Sequence, residues 1–268
     1  MASSLHAQIT TPEDVNRLGT ILGIWAHPDD ESFLAGGLLA TAARNGQTVV
    51  CVTATRGEAG VQDPKRWPPE RLGKIRAAEL KAAFNILGLR LHHWLGYADG
   101  ELAQVPEAEV VARLRRLMER YRPDTIVTFG PEGLTGHPDH QAVSRWAGRV
   151  AALSPPRPRV FHAVLTPEQY RDHYKPADEQ LNFFFNIDQP PQVPAKDCAV
   201  AYELPDDIQE LKHQAFVAMP SQMEQLCRVL GDEKFHQIFG AEYFVEYQPE
   251  AAYGRIRSED QARVVLAQ

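Results

Sequence analysis

His27, Asp29, Asp30 and Glu31 crowd into "WAHPDDESFLAGG" (residues 25–37) with no Lys or Arg among them. Carboxylates so close disfavour each other's charge unless a cation or a proton-transfer task holds them there. A second cluster, "GHPDH" (136–140), adds His137, Asp139 and His140. Catalytic zinc usually takes three protein ligands from His and Asp or Glu and leaves one position for water. His27 and Asp30, three apart, form a close pair, and either His137 or His140 can be the distant third. Pro138 fits the first turn of a helix, which puts His137 at the cap and His140 just inside, on one face, so both imidazoles can reach the same crevice. A lone "HPD" can also be a helix start in which Asp caps free N–H groups. Two such clusters, each following a strand, argue for one site instead.

The elements around the clusters support that placement. "TILGIWA" (20–26) and "QTVVCVTAT" (47–55) read as buried strands, with a helix over "SFLAGGLLATAARNG" (32–46) between them, stopped by Gly46. A helix over 69–88, a short strand "LRLHHW", a helix at about 107–121, the strand "DTIVTF" (124–129) and a helix opening at "HPDHQ" follow. Alternating strands and helices predict an α/β fold, a Rossmann-like three-layer αβα arrangement with a mostly parallel sheet. Ligands in such sheets bind outside the carboxyl ends of the strands, where both clusters lie. Beyond the Pro-rich "SPPRPRV", the segments "RVFHAVL", "LNFFFNI" and "AVAYEL" are strand-like, and "DDIQELKHQAFVAM" is an amphipathic helix. The expectation is one domain over 1–268, with a core at about 18–165 and a C-terminal extension of strands and helices at about 166–268. Gly36 and Gly37 lie in no G-x-G-x-x-G pattern and are expected to permit close helix–sheet packing.

The 268 residues are 44% hydrophobic and 24% charged, ordinary for a globular protein. The net charge of −7, with both signs interspersed, gives no reason to expect nucleic acid as a partner. The arginines of "RLRRLMERYR" alternate with Leu114, Leu117 and Met118 at helical spacing and read as a solvated helix face. Cys51, Cys198 and Cys227 are too few and too scattered for a disulfide framework, and Cys51 reads as a buried thiol. No apolar run is long enough to span a membrane, and the N-terminus has no basic stretch followed by an apolar one, so the default location is cytoplasmic.

"AHPDDE" followed more than a hundred residues later by "GHPDH" resembles the zinc-dependent deacetylases called PIG-L or LmbE-like. Weaker likeness runs from about 20 to 165 through "TATRGEAG", "IRAAEL" and "LGYADGEL". The resemblance implies a hydrolase with one zinc per chain that removes the acetyl group of an N-acetylglucosamine-type sugar or glycoside by attack of metal-activated water. It makes His27, Asp30 and His140 the metal ligands and Asp29 the general base. His137 would stabilise the oxyanion or protonate the leaving amine, with Asp139 orienting it. Arg76 and Asp99 would contact the sugar. The physical chemistry agrees: a neutral amide is a poor electrophile and water a poor nucleophile, and a Lewis acid lowers both obstacles. Against these roles, Arg76 could instead pair with Glu79 on its helix, and Asp99 could serve a D-G turn. Thr135 stands where some sugar deacetylases carry a tyrosine, which speaks against a close match to mycothiol-type substrates.

Two other classes use similar residues. Non-haem Fe(II) enzymes employ two histidines and a carboxylate, on all-β scaffolds that the βαβ pattern does not match. A non-catalytic metal- or sugar-binding protein would have no need of Asp29. The Pro-rich loop and "LNFFFNI" are candidates to cover a homo-oligomer interface.

Overall fold

The computed structural model describes residues 7–182 and 184–247. The first six residues of the N-terminal segment read above, and 248–268 of the expected extension, lie outside the described residues. Five strands are parallel: β1 (Ile21–Trp25), β2 (Val49–Thr53), β3 (Leu91–Trp94), β4 (Thr125–Phe129) and β5 (Arg159–Val164). Strands β1, β2 and β4 are buried along their whole length, as apolar runs covered by helices on both faces must be. Strand β6 (Val200–Glu203) and strand β7 (Ala241–Glu246) extend the sheet, with β7 antiparallel to both β5 and β6, giving the order β3-β2-β1-β4-β5-β7-β6. The α/β, mostly parallel architecture with C-terminal additions is therefore as the sequence pattern implies.

The covering helices include α1 (Asp30–Arg44), α2 (Pro69–Leu87), α3 (Glu107–Tyr121) and α4 (Pro138–Ala152). Helix α3 buries Val110, Val111, Leu114 and Met118 while Arg115, Arg116 and Arg120 stay exposed, so its arginine cluster is a solvated face. From β1 the chain crosses to β2 on one side, and from β4 to β5 on the other, so the order reverses between β1 and β4. That reversal opens a crevice at the carboxyl ends of these two neighbours. "HPDDE" leaves β1 into α1, and "GHPDH" follows β4 into α4.

After β5 come the single-turn α5 (Pro167–Gln169), α6 (Lys175–Leu181), α7 (Asp206–Val217) and α8 (Pro220–Phe239), the last broken at Gly231. The segment "LNFFFNI" is not a strand in its described residues. Leu181 closes α6, Asn182 turns the chain at φ 48°, and Phe184 packs inward against Phe33 and Tyr174. Phe184 and Phe185 thus join an aromatic cluster within the chain, where strand pairing would have turned alternate side chains outward. At Gly37 a Cβ would stand 2.4 Å from Leu204, the residue directly after β6, so α1 approaches this end of the sheet closely there. The C-terminal part is tied to α1 by charge as well. Lys212 of α7 and Glu242 of β7, both buried, pair at 2.6 Å, and Glu242 accepts the Gly37 and Leu38 N–H groups at 2.8 Å each. Cys51, Cys198 and Cys227 are free thiols, and Cys51 is buried in β2.

Candidate functional site

A cavity of about 630 Å³ opens over the β1/β4 crevice, and His27, Asp29, Asp30, His137 and His140 all line it. Ring hydrogen bonds sort the donor atoms. His27 Nε2 faces two carboxylates, Asp99 Oδ1 at 3.0 Å and Asp139 Oδ2 at 3.3 Å, which assigns its proton to Nε2 and leaves Nδ1 as a lone pair. His140 Nδ1 faces the Gly133 carbonyl at 3.0 Å, which likewise leaves Nε2 as its lone pair. These two lone pairs point at each other across 3.2 Å, with Asp30 Oδ1 3.3 Å from His140 Nε2 and Asp30 Oδ2 3.7 Å from His27 Nδ1.

Two imidazole nitrogens and a carboxylate converging in this way call for a cation. Bonds of about 2.1 Å around a tetrahedral zinc put donors about 3.4 Å apart, and these separations fit that spacing. The residues present therefore suit a metal ion. Burial alone would lower the pKa of His27, but hydrogen bonds to Asp139 and Asp99 and the charge of Asp30 raise it to about 10. Burial opposes the ionised form of Asp30, yet the two histidines and the His27 N–H bond hold its carboxyl below the ordinary range.

Asp139 sits elsewhere than the sequence implies. Its carboxylate is fully buried and accepts the Gly100 N–H at 2.8 Å and the Leu102 N–H at 3.0 Å besides facing His27. It therefore orients His27 and not His137. Its backbone N–H donates to His137 Nδ1 at 3.1 Å, so His137 caps α4 and presents Nε2 as its second nitrogen. Burial, then the neighbouring histidines His27 and His140, lower the pKa of His137.

Asp29 precedes α1 at φ 117° and makes no capping bond with its side chain, so the helix-cap reading of this Asp does not hold. Its Oδ2 instead accepts Arg76 Nη2 at 2.9 Å. Burial, opposed by Arg76 and reinforced by Asp30, pushes its carboxyl up to about 6. Arg76, buried in α2, also donates to the Pro28 and Gly57 carbonyls at 2.7 Å each. The pairing with Glu79 is absent, because Glu79 accepts the Ser221 N–H and hydroxyl of α8. Gly57, at φ 64°, is required here: a Cβ would stand 2.2 Å from the Arg76 guanidinium.

Asp99 spends Oδ1 on His27 and Oδ2 on the Ala59 N–H at 2.9 Å, contacts across the crevice that a local turn reading does not foresee. Arg56 lies over Trp94 with its guanidinium 4.8 Å from the ring centroid. Thr135 Oγ1 is 3.2 Å from His140 Nδ1. Glu31 is turned into the core, where burial and the charges of Asp29 and Asp30 push it up to about 8, so it stays protonated at neutral pH. A separate group, Glu210, His213 and His236 of α7 and α8, also brings donor atoms within 4.8 Å of one another, and none of the three lines the cavity.

A family model described as PIG-L, GlcNAc-PI de-N-acetylase, matches residues 22–151. A 1D-myo-inositol 2-acetamido-2-deoxy-alpha-D-glucopyranoside deacetylase of Actinosynnema mirum is 31% identical over 202 residues, covering 67% of this chain and 71% of the relative. The chain belongs to the PIG-L family. A Kineococcus radiotolerans protein of the same description is 33% identical over 176 residues, which cover 55% of this PIG-L chain, and the match spans about half (49%) of that relative's length.

Among solved structures, N,N'-diacetylchitobiose deacetylase from Pyrococcus horikoshii superposes with a TM-score of 0.59 at 21% identity, covering 90% of this chain and 88% of its own. The 4-carboxy-2-hydroxymuconate hydratase GalB from Pseudomonas putida does so with 0.58 at 18%, covering 86% of this chain and 97% of its own. The fold is thus shared by proteins of different reactions, and the chemistry must be argued from the site. Among the described residues no helix is long and apolar enough to cross a membrane.

Proposed function

We propose that this PIG-L chain is a zinc-dependent hydrolase that removes the acetyl group from an N-acetylglucosamine-type sugar or glycoside. The observation that carries the reading is the convergence of His27 Nδ1, Asp30 and His140 Nε2, 3.2 to 3.7 Å apart, at the β1/β4 switch point. These three residues would hold one zinc ion, which when bound polarises an amide carbonyl and acidifies water near neutral pH.

The chain's own residues divide the remaining work. Asp29, fixed through Oδ2 by Arg76, takes the proton of the attacking water. His137, whose Nδ1 accepts the Asp139 N–H, keeps its proton on Nε2 and donates from there to the developing oxyanion, and the proton taken up by Asp29 passes on to the leaving nitrogen. Asp139 holds the Nε2 proton of His27 and so fixes the tautomer that keeps Nδ1 free. Arg76 and Asp99, expected as sugar contacts, act in this reading as positioning residues for Asp29 and His27, because their polar atoms are already engaged there.

The cavity supports a neutral, polyhydroxylated substrate. Carboxamides of Asn182, Asn186 and Gln225 line it, groups that both donate to and accept from hydroxyls, beside Gln62 and Gln222, whose amide N–H groups already donate within the chain. Among the described lining residues Arg76 is the one Lys or Arg, and it is paired with Asp29. The deciding experiment is a panel of N-acetylated sugars, including glucosaminyl-inositol, glucosaminyl-malate and chitobiose derivatives, scored for free amine with and without chelator. The reading expects chelator-sensitive amine release from an uncharged member. No amine from any member would overturn it.

A further inference from the structure

A group of donors that hydrolysis at the β1/β4 crevice does not use lies on α7 and α8. Among the described residues, one nitrogen of His213, one nitrogen of His236 and one oxygen of Glu210 lie within 4.8 Å of one another. We propose that they hold a second divalent cation, of the zinc class, which fastens the second half of α8 to α7. None of the three lines the cavity, and the site does not depend on the deacetylase reading.

Spacing, desolvation and charge each point to a cation. Glu210 and His213 are three apart on α7 and share one face, while Asp232 and His236 are four apart on α8 and share another. Helix α8 breaks at Gly231 (φ 66°, ψ 170°), so its second half is aimed independently of its first. Phe235 and Phe239 seat that half on Phe216 of α7, with ring centroids 4.9 and 5.1 Å away, and this brings the His213 and His236 rings to 5.9 Å. His236 Nε2 is shut off from solvent and has no hydrogen-bond partner. A buried polar atom left without a partner is destabilising, and a cation on its lone pair supplies one. His213 Nε2 lies 3.7 Å from Asp232 Oδ1, beyond hydrogen-bond reach and equal to the separation of His27 Nδ1 and Asp30 Oδ2 in the crevice. Glu210 Oε1 accepts the Gln214 amide at 2.7 Å, a bond that a carboxylate can keep while its second oxygen ligates. Asp232, largely exposed, can swing in as a fourth ligand and complete the four-coordinate set usual for structural zinc. Two imidazoles select zinc-like ions over calcium and magnesium, which take oxygen ligands.

The test counts zinc. Chelator-treated wild-type chain is titrated with zinc against a chromophoric chelator, alongside His140→Ala, His236→Gln and the double variant. The wild type is expected to bind two equivalents, each single variant one, and the double variant none. Thermal scans show that each variant folds and give a second readout. In the His140→Ala chain, zinc at about a hundredfold above its Kd should raise Tm by roughly 5–10 °C, a rise that His236→Gln abolishes. Glu210→Gln, at an exposed position, should weaken zinc binding in the His140→Ala chain by about tenfold or more, since even partners outside a ligand set cost that much. A single wild-type equivalent that His236→Gln leaves in place overturns the second site. So do zinc binding and a Tm rise that survive both His236→Gln and Glu210→Gln in the His140→Ala chain. A single equivalent lost in His236→Gln but kept in His140→Ala leaves this site standing and overturns the metal at the crevice instead.

Discussion

Asp29 occupies a conformation that few non-glycine residues adopt, at φ 117°, immediately before α1. Such a backbone costs on the order of 1–3 kcal/mol and persists only where its surroundings enforce it. Here Arg76 holds the side chain and the Phe33 N–H holds the carbonyl at 2.9 Å. The proposed role of base predicts that Asp29→Asn lowers kcat by about 10²- to 10⁴-fold while metal content, measured by atomic absorption, is unchanged. Activity near wild type would remove Asp29 from the mechanism. Asp139 gives a different signature. Replacing it with Asn should weaken metal binding by about 10- to 100-fold in a chelator competition, because His27 loses the partner that fixes its tautomer. Unaltered affinity would show that the buried carboxylate serves structure alone.

At the scale of elements, the C-terminal additions depend on a buried ion pair. Lys212→Met leaves Glu242 charged, buried and only partly compensated by two α1 N–H groups, so denaturant unfolding should register a loss of about 3–5 kcal/mol. A loss within 0.5 kcal/mol would mean the pair is dispensable. His162, buried on β5, has its pKa lowered to about 4 by burial. Its folded pKa lies below the unfolded value, so the neutral form is favoured by folding. The stability it contributes is complete above about pH 6.5 and declines as pH falls through the window down to about 4. His162→Asn should flatten the fall of Tm across that window relative to wild type. An identical slope in both proteins would assign the fall to other groups.

The parallel core was legible because β1, β2 and β4 are uninterrupted apolar runs and their helices carry clear 3.6-residue periods. "LNFFFNI" was misread because three aromatic residues favour a strand locally, whereas Asn182 and the aromatic cluster around Phe33 decide otherwise in the tertiary structure. The metal-site candidates were legible because each cluster is contiguous in sequence. The partners of Asp139, Asp99 and Arg76 were not, since each lies across the crevice on another loop and no spacing encodes it.

On the scale of the whole molecule, a net charge of −7 and a cavity in which Arg76, the one Lys or Arg among the described lining residues, is already paired with Asp29 disfavour anionic substrates. Kinetics should give glucosaminyl-inositol the higher kcat/KM over glucosaminyl-malate in acetylated form, and a reversed preference would mean that a cation outside the lining residues contributes to binding. The central claim is that hydrolysis requires one metal held by His27, Asp30 and His140. Chelator-treated protein titrated with zinc, with amine release followed against equivalents added, tests it most directly. The account predicts that activity returns with one site's worth of zinc, and that His140→Ala neither binds that equivalent nor recovers. Full amine release from metal-free protein, or oxygen consumption without amine release after adding Fe(II), would contradict it.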